Sequence, residues 1–188
     1  MKFTTENYIK QHNLVIENLD CKEIENAISL IKKTIEEGCR VAVCGNGGSA
    51  MAASHYIADW NKMVYSHTKV KFNGICLSDN IGLITAYSND LSYDKVFSEQ
   101  VKNLLREGDL LIALSGSGNS ENVIKATNVA NKMRVNTLAI CGYDGGKLRQ
   151  VSNNSVWIRS NDMQLCEDAQ TVFGHMVMKS LCGEELFV

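Results

Sequence analysis

The sequence predicts an α/β fold: a three-layer αβα sandwich around a five-stranded parallel sheet, preceded by an N-terminal pair of helices. Three observations carry this. Beyond Gly38, short apolar, β-branched runs alternate with segments of helical spacing, which is the βαβ rhythm of a parallel sheet. Two of those runs end in glycine- and serine-rich turns that lead straight into a helix. Before Gly38 the chain is helical in pattern throughout.

From Thr5 to Glu37 apolar residues recur at helical spacing, and Ile24, Ala27, Ile28, Ile31 and Ile35 form one stripe opposite lysines and glutamates. Asp20, three residues before Glu23, is a capping signal that divides this region into two helices. Strands are expected at Arg40–Cys44, Val70–Leu77, Leu110–Leu114, Asn136–Cys141 and Ser155–Ile158. Helices are expected at Ala50–Asn61, Asn80–Ala86, Tyr93–Leu105, Ser120–Met133 and Met163–Leu186, covering both faces of the sheet. The chain contains no proline, and no linker or low-complexity segment interrupts it. A single domain over 1–188 follows, with helices over 1–37 and the α/β core over 38–188.

Composition narrows the function. A net charge of −2 and a pI near 6.1, with no basic stripe, speak against a nucleic-acid partner. The seven cysteines are scattered, mostly within apolar segments, and form no C-x-x-C pair. Buried, reduced thiols in a cytoplasmic protein are expected. Neither a signal-peptide stretch nor a run fit to span a bilayer is visible, so no membrane partner is expected.

The chemistry concentrates in the two turns. Cys44-Gly45-Asn46-Gly47-Gly48-Ser49 follows an apolar run and precedes a helical segment, an arrangement that offers free backbone N–H groups to an anion, with Ser49 suited to cap the helix. Leu110–Leu114 runs into Ser115-Gly116-Ser117-Gly118-Asn119-Ser120, which repeats the design and adds hydroxyls. In an open parallel sheet ligands sit beyond the carboxyl ends of strands. A phosphorylated small molecule is the expected ligand, and no nucleotide cofactor is.

Acid–base candidates lie close by. His55 and Asp59 stand at i and i+4 on one helical face just after the first turn; a local His–Asp pair with no further role is the plainer alternative. Glu167 and His175 share the last helix eight residues apart, about 12 Å along its axis, which makes it hard for both to grip one ion from the same chain. Asp168, seven residues before His175, lies near the same stripe and could orient its imidazole.

Taken in order, Cys44–Ser49, Ser88-Asn89-Asp90, Leu114–Ser120, Gly142-Tyr143-Asp144-Gly145-Gly146 and the late Glu167…His175 helix resemble the sugar isomerase (SIS) domain, a flavodoxin-like fold, and within it the phosphoheptose isomerases. The resemblance spans nearly the whole chain. It implies an aldose–ketose isomerase converting sedoheptulose 7-phosphate to D-glycero-D-manno-heptose 7-phosphate for lipopolysaccharide or capsule precursors. It further implies a homotetramer with sites between subunits, packed partly through residues 1–37. By position, Ser115, Gly116, Ser117 and Ser120 would hold phosphate, while Asn46, Gly47, Gly48, Ser49, Asn89 and Asp90 would line the substrate. Asp59, His175 and Glu167 fall on catalytic positions, and His55, Asp59, Glu167 and His175 on those of a zinc site. The chain departs from the family in having Asp59 for glutamate, Glu167 for glutamine and Gln170 for histidine. An isomerase for another sugar phosphate, or a non-catalytic sugar-phosphate-binding adaptor, therefore stays open.

Overall fold

The structure, a computed structural model, describes residues 3–183, and all counts are of those residues. Helices α1 (Thr5–Glu17) and α2 (Cys21–Glu36) precede a sheet of five parallel strands: β1 (Val41–Cys44), β2 (Gly74–Cys76), β3 (Leu110–Ser115), β4 (Asn136–Cys141) and β5 (Asn154–Trp157). Their order is β2-β1-β3-β4-β5, so connections leave β1 and β3 in opposite directions along the sheet. That divergence is the topological switch point where such sheets open a crevice.

The strands bury both faces, but unequally. Val41, Val43, Leu110, Ile112, Leu114, Leu138 and Ile140 point to a layer shared with α2, α3 (Gly47–Thr68) and α8 (Met163–Cys182). Ala42, Cys44, Ala113, Ala139 and Cys141 point the other way, among residues of α5 (Val96–Leu104), α6 (Glu121–Lys132) and α7 (Gly146–Val151). Alternation with period two puts mostly large side chains on one face and, apart from Leu111, small ones on the other.

Several boundaries differ from the sequence expectation. The second strand is three residues long rather than eight, because Phe72 folds inward against Trp60 and the Asn61 side chain occupies the strand edge. Asn61 Nδ2 donates to Gly74 O at 3.1 Å, and its Oδ1 accepts from Gly74 N at 3.2 Å, so the amide imitates a neighbouring strand. Helix α3 begins at Gly47 and runs to Thr68, and its N-cap is Asn46 rather than Ser49. Helix α4 (Ile81–Asp90) carries Asn89 and Asp90 in its last turn. A single 3₁₀ turn (Tyr93–Lys95) precedes α5, and α7 was not expected at all. Helix α8 closes on Gly183 in the left-handed conformation; the expected end at Leu186 lies outside the described residues.

Only Cys44, Cys141 and Cys166 are buried, while Cys21 is exposed and the other three lie between, so the expectation of mostly buried thiols holds for fewer than half. Burial pushes the Cys141 thiol up to about 12.

Candidate active site

Helix termini set up the site. Helices α1, α2, α4 and α8 begin with a side chain that accepts from the first turn: Thr4, Asp20, Asn80 and Asp162. Like the shorter α5 and α7, helices α3 and α6, which follow β1 and β3, have no such side-chain cap. Their N-termini keep donors available, and the positive end of each helix dipole faces the same crevice. A cleft of about 240 Å³ lies there, lined by Asn46, Gly47, Ser49, Leu114, Ser115, Gly116, Ser117, Ser120, Met163 and Glu167.

The serine turn is held rigidly. Ser115 Oγ and Ser120 Oγ lie 3.1 Å apart, and Gly118 O accepts from Leu148 N at 2.9 Å. A side chain at Gly118 would strike Gly145 O, so the Gly142–Gly146 segment braces the turn from behind. That gives the fourth motif of the sequence a supporting role rather than a contact with ligand.

Glu167 reaches the cleft from α8 and rests over Gly48. A Cβ at Gly48 would come within 2.2 Å of the carboxylate, so the missing side chain makes room for it. Helices α3 and α8 pack closely because Gly174 meets the Tyr56 ring and side chains of α3 donate to oxygens of α8. Trp60 Nε1 donates to Gly174 O at 3.0 Å, Ser49 Oγ donates to Gln170 Oε1 at 2.9 Å, and Tyr56 Oη donates to Gln170 O. Gln170 therefore holds α8 against α3 from a fully buried position.

Along the exposed edge of the same helix pair, His55, Asp59 and His175 converge. His55 Nε2 and His175 Nε2 are 2.8 Å apart, and Asp59 Oδ2 lies 3.5 Å from the first and 3.9 Å from the second. Four donors around a tetrahedral zinc, with bonds of about 2.0–2.1 Å, stand about 3.3 Å from one another. The observed separations bracket that value, and two imidazoles with one carboxylate are a donor set that leaves a coordination position open. The shorter aspartate still reaches both histidines. These side chains remain 43%, 31% and 49% exposed, so the trio sits at the surface of one chain.

Not every expected residue arrives at the cleft. Glu167 does not join the trio, which fits the two-turn separation along α8. Asn89 and Asp90 do not line the cleft; they bond to each other at 2.8 Å on the exposed end of α4. Asp168 accepts from Tyr8 Oη at 2.6 Å and anchors α1 instead of orienting His175. Met163 and Leu114 line the cleft without having been expected there. Asn122 and Tyr93 were missed as well, though both bond to Asn46. A signal for Asn122 existed: an amide in the first turn of an otherwise apolar helix face.

Residues 7–142 match the SIS domain family. A phosphoheptose isomerase of Aliarcobacter butzleri is 35% identical over 170 residues, 90% of this chain and 89% of that one. The chain belongs to the phosphoheptose isomerases of the SIS family. A Helicobacter pylori phosphoheptose isomerase is 33% identical over 82% of the chain and 80% of its own length. Among solved structures, the phosphoheptose isomerase of Neisseria gonorrhoeae superposes with a TM-score of 0.88 at 25% identity, covering 95% of this chain and 97% of that one. The SIS fold extends to more remote proteins: the Vibrio vulnificus NanR protein complexed with ManNAc-6P shares it with a TM-score of 0.65 at 13% identity.

Proposed function

We propose that this protein interconverts sedoheptulose 7-phosphate and D-glycero-D-manno-heptose 7-phosphate. The observation that carries the proposal is the meeting of two uncapped helix N-termini, a serine turn and one carboxylate, Glu167, in a single cleft beside the His55–Asp59–His175 trio. Phosphate would sit on the N-terminus of α6 among Ser115, Ser117 and Ser120, since hydroxyl and backbone N–H donors both suit its oxygens. The carbohydrate would extend past Asn46 and Gly47 towards the trio.

Isomerisation moves one carbon-bound proton and one hydroxyl proton. Glu167 is the carboxylate that lines the cleft, and neither histidine of the trio engages it. It would take the proton from C1 of the ketose and return it to C2, leaving an enediolate between the two steps. His175 would protonate the ketone oxygen and accept the proton that leaves the C1 hydroxyl, with Asp59 and His55 holding its ring. A zinc ion held by His55, Asp59 and His175 would, when bound, supply a Lewis acid at that oxygen. Chelation separates the two roles of the imidazole: activity kept without metal assigns the proton to His175, and activity restored only by zinc assigns the trio to metal binding.

The exposure of the trio supports a homotetramer whose neighbouring subunits complete the site, measurable by sedimentation. No described helix is long and apolar enough to cross a membrane. A cytoplasmic location and a role in surface-polysaccharide precursors agree with a charged sugar-phosphate substrate. The deciding experiment incubates the protein with sedoheptulose 7-phosphate in D₂O and follows aldose formation and deuterium uptake at C2 by NMR. Absence of turnover with and without zinc would overturn the proposal, and turnover of a different ketose phosphate alone would reassign the substrate.

A further inference from the structure

We propose that Asn122 is a positioning residue: it sets the amide of Asn46 so that one N–H of that side chain points at the substrate. The inference rests on the proposed isomerase activity but concerns residues outside the acid–base set.

Asn46 and Asn122 form a reciprocal amide pair across 76 residues of chain. Asn46 Nδ2 donates to Asn122 Oδ1 at 2.8 Å, and Asn122 Nδ2 donates to Asn46 Oδ1 at 2.9 Å. The orientation of the pair is fixed from one end, because Val123 N donates to Asn122 Oδ1 at 3.0 Å and only an oxygen can accept there. It is reinforced from the other, because Tyr93 Oη donates to Asn46 Oδ1 at 2.8 Å. The Asn46 oxygen is thus occupied by two donors. Its Nδ2 has spent one of two hydrogens, and Asn46 lines the cleft. The second hydrogen is a directed donor for a substrate hydroxyl or phosphate oxygen.

The two partners differ in a useful way. Asn122 is 3% exposed in the first turn of α6, directly after the serine turn, whereas Asn46 caps α3 in the glycine turn. Their bond ties the phosphate-facing turn to the sugar-facing turn across the seam between β1 and β3. Burial of Asn122 gives its end of the pair the low-dielectric surroundings in which an amide lock is strong. Tyr93 is 55% exposed, so it adds orientation without being needed for the core.

Asn122→Asp keeps size and the acceptor for Val123 N, but sets an oxygen against Asn46 Oδ1 and drives that amide from its place. The expected result is a KM for sedoheptulose 7-phosphate raised about 10- to 30-fold with kcat within about threefold, the signature of lost ground-state binding. Tyr93→Phe should raise KM about two- to fourfold. In an Asn46→Ala background, Asn122→Asp should cost less than twofold more, since a positioning residue has nothing left to position. Thermal melting accompanies each variant, and Asn122→Ser serves if Asn122→Asp does not fold. An unchanged KM, or a full additional loss in the Asn46→Ala background, would overturn the inference while the isomerase reading stands. If the wild type does not turn over, that reading fails on its own, and the ¹⁵N side-chain signal of Asn46 decides instead. Slow exchange with water in the wild type, lost in Asn122→Asp, supports the lock; equal exchange in both rejects it.

Discussion

The two ends of the β1–β3 seam are built from the same pair of strands and treat their backbone donors in opposite ways. At the amino end, the buried Asp109 carboxylate accepts from Arg40 N at 2.7 Å and Arg106 N at 2.8 Å, and the Arg40 guanidinium donates to Leu104 O at 2.9 Å. At the carboxyl end, helices α3 and α6 start without side-chain caps, and serines and an amide face the opening. The hollow at the amino end is the larger, about 330 Å³ against about 240 Å³. Volume therefore does not locate the site; donors left free by the protein do.

Breaking the carboxyl end should cost activity and little stability. Glu167→Gln removes the proposed base, and kcat should fall about 10²- to 10⁴-fold with the melting temperature nearly unchanged. Gly48→Ala should act in the same direction, because the added methyl displaces the Glu167 carboxylate, the mobile end of a side chain, from its seat. Steady-state kinetics beside calorimetry checks both, and an active Glu167→Gln enzyme would move the base to Asp59.

Breaking the amino end should do the reverse. Asp109→Ala leaves the N–H groups of Arg40 and Arg106 without their buried acceptor, a loss of about 2 kcal/mol, or about 4–8 °C in melting temperature for a chain of this size. Kinetic constants measured well below that melting point should match the wild type. A large fall in kcat there would show that the two ends are coupled.

Much of this contrast was legible in the sequence, and its limits have physical causes. Strand β1 is a continuous apolar run, β3 is one up to Leu114 and β4 is one from Leu138, a pattern that needs no tertiary information. Residues 70–73 alternate apolar and polar as a strand would, yet Phe72 packs against Trp60 there and the ladder begins only at Gly74. Both turns were recognisable because glycine and serine are what a helix start open to an anion requires. The separate placement of Glu167 in the cleft and Asp59 beside the two histidines was not, since it depends on how α8 lies against α3 and on the room left at Gly48. Asn89 and Asp90 were assigned by position, and a helix that ends at Asp90 turns them to solvent.

Smaller effects sharpen the comparison further. Ser115→Ala removes one hydroxyl from the turn proposed to hold phosphate, and KM should rise about tenfold, corresponding to about 1.4 kcal/mol, with kcat nearly kept. The smallest change is expected where Tyr8 joins α1 to Asp168, a residue that does not line the cleft. The hydrogen bond to Asp168 is the main reason the Tyr8 phenol is pushed up to about 12. A raised value means that the bond contributes fully below the ordinary tyrosine range near 10 and is lost as the pH climbs through about 12. Tyr8→Phe should therefore remove a step near pH 12 from the tyrosinate absorbance titration and lower the melting temperature at neutral pH by only a degree or two.

The parallel sheet also sets how this chain must assemble. Arg40 and Asp109, which bracket the seam, are 69 residues apart, so β1 and β3 meet only after a long loop has closed, and no local hairpin can prepare their pairing. The crevice, at the junction of the two strands, can therefore form only once that loop has closed. A sugar phosphate bridging the two turns would clasp that junction shut, and slower unfolding with substrate present would be its kinetic mark.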